Sequence, residues 1–105
     1  MNRELLFAFA AERSLKELAS NPAKTALLKQ VRKTLGLLET NLRHPSLQTH
    51  PFHSMHGPTG EEVFEAYVQN NTPSAYRIFF YYGPDRVEGK RRIPVLTIIA
   101  ITPHP

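Results

Sequence analysis

Three residues are placed where proton transfer and anion chemistry would need them: Arg77, His104 and Glu65. Arg77 interrupts the run Tyr76–Tyr82, which is otherwise aromatic or aliphatic. A guanidinium inside an apolar strand is costly unless it is paired or its face of the sheet is open. Two readings follow: Arg77 balances an acid such as Glu65 or Glu62, or it lines an open face that meets an anion. Strand alternation puts Phe79 and Tyr81 on the same face as Arg77. An arginine beside aromatics suits phosphate contact and base stacking. His104 stands just past the last apolar run, and alternation gives it the face of Ile98, Ala100 and Thr102. A histidine so placed can move protons at neutral pH; the plainer alternative is a polar residue in an exposed tail.

The other candidates are less pointed. His50, His53 and His56 recur at three-residue intervals, with His44 before them. Pro51 and Gly57 fall among them, so no regular element is expected to present them together. Neither Cys nor Asp is near, and no metal is assigned to them. Asp85–Arg92 reads as a charged loop ending in Lys90, Arg91 and Arg92. Those cations, with Arg43 after the second helix, are candidate phosphate contacts or an ordinary solvated tip. The chain contains no phosphate-cradling glycine loop, nucleophile elbow or dinucleotide fingerprint, and no cofactor is expected.

The positioning elements follow from periodicity. Leu5, Phe7 and Phe9 alternate with Leu6, Ala8 and Ala10, as in a buried strand. From about Ala11 the pattern becomes helical, with Leu15 and Leu18 on one side. Asn21-Pro22 starts a second helix, because Pro favours the first helical position and Asn caps it. That helix runs to about Thr40, with Leu27, Leu28, Val31, Leu35, Leu38 and Leu42 as its apolar stripe. Residues 44–60, with three Pro and two Gly, read as loop. Glu62–Val68 and Tyr76–Tyr82 form an antiparallel hairpin around a turn-rich 70–74. Pro94–Thr102 is β-branched and reads as a covered strand. The expected fold is α+β in two layers, order βααβββ: two helices cover one face of a small, mostly antiparallel sheet and leave the other face partly open.

Composition agrees with one domain over residues 1–105, of ordinary 41% hydrophobic content. The net charge of +4 permits an anionic partner without demanding one. The absence of cysteine excludes a disulfide framework, a thiolate metal site and a Cys nucleophile. No stretch approaches the roughly 20 apolar residues of a membrane span. The opening MNRELLFAFAAERS has only a short apolar run, with Glu4 where a signal peptide carries positive charge; a buried strand and a cytoplasmic protein are expected.

With these residues and this element order, the chain resembles the RelE/ParE superfamily of type II toxin–antitoxin toxins. The resemblance spans nearly the whole chain. It rests on a first strand passing into two helices, the RHPSL segment closing the second helix, VFEAY opening the hairpin, AYRIFFYYG, and LTIIAITPHP with its histidine. It implies a ribosome-dependent endoribonuclease that cuts mRNA without a metal. Arg77 would contact the scissile phosphate, His104 would be the general acid and Glu65 a candidate general base. Tyr67 stands where many relatives carry a basic residue, and joins Phe79, Tyr81, Lys90, Arg91, Arg92 and Arg43 as the expected RNA-facing set. The implied partners are a cognate antitoxin, the ribosome and mRNA, with a homodimer also open. A non-catalytic module of the same fold, or a ParE-like gyrase inhibitor, are the alternatives.

Overall fold

The computed structural model describes residues 2–70 and 74–104. The chain opens with strand β1 (Glu4–Phe7), then helix α1 (Phe9–Ala19), a 3-10 turn (Pro22–Lys24) and helix α2 (Thr25–Thr40). A second 3-10 turn (Pro45–Leu47) leads into β2 (His50–His56), β3 (Glu62–Tyr67) and β4 (Tyr76–Tyr82). A small hairpin, β5 (Arg86–Glu88) and β6 (Arg91–Ile93), precedes the last strand, β7 (Val95–Pro103). The five long strands form one sheet in the order β1-β7-β4-β3-β2. β1 is parallel to β7 and the other pairs are antiparallel.

Local chemistry accounts for the elements. Asn21 Oδ1 accepts the Ala23 N–H at 3.0 Å, capping the turn that leads into α2. The exposed face of α1 neutralises itself through Glu12–Lys16 and Arg13–Glu17, both four residues apart. Leu18 from α1 and Leu28, Val31, Leu35 and Leu38 from α2 are buried against Ala66, Ile78, Phe80, Leu96, Ile98 and Ile101 of the sheet. The helical layer therefore covers the face carrying Ile78 and Phe80, as alternation along β4 predicts.

The sheet is larger than expected. The segment read as loop contains β2, an edge strand in which Pro51 is tolerated because an edge residue need not donate to a neighbour. Asp85–Arg92 contains most of a second hairpin, whose two-residue turn Gly89-Lys90 uses glycine at φ +63. The first strand ends at Phe7, and Phe9 opens α1 with its side chain exposed. The predicted 70–74 turn lies partly outside the described residues.

Two corrections concern the face away from the helices. Cross-strand pairs Glu65–Phe79, Tyr67–Arg77 and Tyr81–Thr97 share it. It is substantially closed: Phe79 has no exposed surface and Arg77, Tyr81 and Thr97 are buried. Phe52 of β2 contributes to the cover, its ring 4.9 Å from that of Phe79. The second correction is a bulge in β7. Phe79 pairs with Ala100 but Phe80 pairs with Ile98, so Ile99 is the extra residue. Ile98 consequently turns into the helix-covered core, while Ala100, Thr102 and His104 keep to the other face.

Candidate functional site

Glu65 is the centre of the site. It lies on β3, between the edge strand β2 and the aromatic strand β4, and only 2% of it is exposed. A carboxylate so deep needs partners for both oxygens. Oε1 is 2.8 Å from His50 Nε2, on β2 directly opposite Glu65 in the register. Oε2 is 2.5 Å from His104 Nδ1. His104 is brought there by the end of β7, where its backbone N–H donates to the Ala75 carbonyl at 2.9 Å. The two imidazoles thus clamp one carboxylate from opposite sides of the sequence, and both are about four-tenths exposed.

Arg77 lies beneath this group. Its Nε is 3.8 Å from Glu65 Oε2, too long for a hydrogen bond but close enough for a strong charge interaction in a buried setting. Nη1 donates to the Gln69 carbonyl at 2.6 Å and to the Tyr76 carbonyl at 3.1 Å. The guanidinium carbon sits 3.7 Å over the centre of the Tyr67 ring. Of the two readings of Arg77, the pairing with Glu65 is the one realised. The residue is 8% exposed; Nη1 is held by two backbone carbonyls, while Nε is buried without a hydrogen bond and faces the Glu65 carboxylate.

Aromatic rings border the pair of histidines. Tyr67 meets His50 edge to face at 5.8 Å, and Phe52 meets His104 in the same way at 6.2 Å. Phe79 and Tyr81 lie beneath, buried, so neither offers an open ring face to a base. That departs from the expected stacking platform, because β2 curls Phe52 over the sheet where an open face was predicted.

The remaining candidates are dispersed. Lys90, Arg91 and Arg92 are exposed on the β5–β6 hairpin, which Arg86 fastens to Glu4 of β1 at 2.6 Å and 3.1 Å. β1 is the sheet edge opposite β2. Arg43 is exposed after α2. None of these four forms an ion pair or hydrogen bond with the Glu65 group among the described residues. His44 caps the second 3-10 turn, with Nδ1 2.7 Å from Ser46 Oγ and 3.2 Å from the Ser46 N–H. His53 and His56 are exposed on β2. Among the described residues no cluster of three or more His, Asp or Glu is arranged to hold a metal ion.

His50 is not among the residues that spacing singles out, because its Pro- and Gly-containing segment reads as irregular loop. The available signal was the alternation of His50 and Phe52 on one face of a segment able to pair with the Glu62–Val68 strand.

The arrangement can do defined chemistry. An ionised Glu65 only accepts, so the Nδ1–H tautomer of His104 is the one that fits the contact; it leaves the lone pair on Nε2, which makes no hydrogen bond among the described residues. A carboxylate that orients an imidazole in this way prepares it to take and return a proton. Glu65 itself has both oxygens occupied and almost no exposed surface. Among the described residues no helix is long and apolar enough to cross a membrane. Comparison of the chain with protein-family models, curated proteins and solved structures finds no match.

Proposed function

We propose that this chain is a RelE-like, metal-independent endoribonuclease of a type II toxin–antitoxin system, cutting mRNA on the ribosome in the cytoplasm. The observation that carries the proposal is the 2.5 Å contact of His104 Nδ1 with the buried Glu65 carboxylate, which leaves Nε2 of a half-exposed ring as the reactive nitrogen. His104 Nε2 takes the proton of a 2′-hydroxyl as that oxygen attacks the adjacent phosphorus. The bond from phosphorus to the 5′ oxygen breaks, and the imidazolium returns a proton to the departing oxygen. The products are a 2′,3′-cyclic phosphate and a 5′-hydroxyl. Glu65 orients the ring and offsets the imidazolium charge; it does not itself meet the substrate. Arg77 supports this from below as the counter-cation of Glu65, a different role from direct phosphate contact. The exposed cations Lys90, Arg91, Arg92 and Arg43 are available to ribosomal or messenger phosphates. A cognate antitoxin completes the proposed system.

A second reading is a non-catalytic binding module with this fold, or a ParE-like gyrase inhibitor. It is favoured by one observation: Arg77 is spent on internal carbonyls and Glu65, so the sheet presents no free cation beside His104 from β4. Induced expression separates the readings. Wild type should arrest growth and cleave translating mRNA, and His104→Ala should do neither. Growth arrest with intact mRNA would leave the binding reading in its place.

A further inference from the structure

We propose that His50 is a positioning residue: a fixed imidazolium that locks one oxygen of Glu65 so that the other sets the tautomer of His104. Its catalytic consequence rests on the ribonuclease reading; its charge state does not.

Protons and acceptors must match around the His50 ring. His50 Nε2 is 2.8 Å from a carboxylate oxygen of Glu65, and Nδ1 is 2.7 Å from the Gln48 carbonyl oxygen. A carbonyl oxygen only accepts, and an ionised carboxylate only accepts. A neutral ring has one N–H. If Nε2 carries it, the Nδ1 lone pair faces the carbonyl oxygen at hydrogen-bond distance. If Nδ1 carries it, the Nε2 lone pair faces the carboxylate. Only the doubly protonated ring satisfies both contacts with Glu65 ionised. A protonated Glu65 would be the other solution, but it would deprive the buried Arg77 of its counter-charge 3.8 Å away.

The backbone is shaped for this contact. Gln48 adopts φ 45 and ψ 40, a left-handed conformation uncommon outside glycine, and its carbonyl is the one that meets Nδ1. The 3-10 turn before it supports that conformation through the Gln48 N–H to the Pro45 carbonyl. The charged and titratable groups around His50 are Glu65, Tyr67 edge-on, and, through them, Arg77 and His104. Of these, only the Arg77 guanidinium lies over the face of the Tyr67 ring, the side that attracts a cation. With both of its nitrogens engaged, His50 has none to offer a substrate; it acts through Glu65 on His104.

The test is nitrogen-15 NMR of the histidine rings in the full chain at pH 7, with His50→Phe and His50→Gln beside wild type. Wild type should show both His50 nitrogens protonated and His104 as the single Nδ1–H tautomer. His50→Phe should free the Glu65 carboxylate to turn away from His104 Nδ1, so that His104 becomes a mixture of tautomers, and His50→Gln, which keeps a donor for Glu65, should restore the single form. In the cleavage assay His50→Phe should lower kcat about tenfold with KM unchanged, a modest part of what proton transfer supplies. A neutral His50 in the wild-type spectrum overturns the proposal without recourse to any variant. So does a His104 tautomer that is indifferent to His50→Phe. If wild type cleaves no RNA, the ribonuclease reading falls while the spectra still decide the lock.

Discussion

His104 Nδ1 lies 2.5 Å from Glu65 Oε2, although 39 positions separate the two residues in the chain. The contact closes the end of β7 onto the middle strand of the β2–β3–β4 meander, over the buried Arg77. A half-exposed ring and a buried acid make a unit neither forms alone: the acid supplies orientation and the ring supplies access.

Glu65→Gln tests the acid as a structural element. The amide keeps the shape but leaves Arg77 buried without its counter-charge. Breaking a buried charge pair from one side costs about 3 kcal/mol. Urea denaturation should show a loss of that order, and a loss below about 1 kcal/mol would mean that Arg77 finds compensation elsewhere.

Arg77→Lys separates a buried planar donor from a generic positive charge. A lysine keeps the charge but cannot both span the Gln69 and Tyr76 carbonyls and lie flat on Tyr67. The expected loss is about 2 kcal/mol, with protection of the Gln69 and Tyr76 amides against hydrogen exchange reduced. Stability equal to wild type would contradict the buried role.

The bulge in β7 predicts an asymmetry between neighbouring isoleucines. Ile98 has no exposed surface and packs in the helix-covered core, whereas Ile99 is the unpaired extra residue and partly exposed. Ile98→Ala should cost about 3 kcal/mol and Ile99→Ala about 1 kcal/mol. Equal losses in thermal or denaturant unfolding would argue against the assigned register.

The β5–β6 hairpin should loosen in acid. The Arg86 hydrogen bonds hold the Glu4 carboxyl below its ordinary value of 4.5. A depressed carboxyl contributes stability above its unfolded value and loses it as pH falls through the folded one. Wild type should therefore exceed Glu4→Gln in Tm at pH 7, and the gap should close as pH drops below about 4.5. A gap that persists at pH 2 would mean that Glu4 acts through packing instead of charge.

Much of the frame was legible in the residues. Tyr76–Tyr82 forms the strand its alternation predicts, Ile78 and Phe80 face the helices, and Asn21 caps where an Asn-Pro step should. β2 was hidden because His, Pro and Ser carry little strand preference, and an edge strand tolerates them through pairing on one side alone. The bulge at Ile99 was hidden because a β-branched run has the same composition in either register. Both omissions touch the site. Without β2 there is no Phe52 cover and no His50 opposite Glu65, and an open face over Arg77 stays one of two explanations. The clustering of Glu65 with His50 and His104 depends on strand order, which pairwise spacing in the chain does not encode.

The most direct measurement is cleavage of ribosome-bound mRNA by purified wild type, His104→Ala and Glu65→Gln, with folding checked by circular dichroism. Wild type should cut the message to 2′,3′-cyclic phosphate ends. His104→Ala should keep its fold and be slower by about a hundredfold or more, and Glu65→Gln should be slower to a lesser degree. Message left intact by folded wild type, or cut equally well by His104→Ala, would contradict the account.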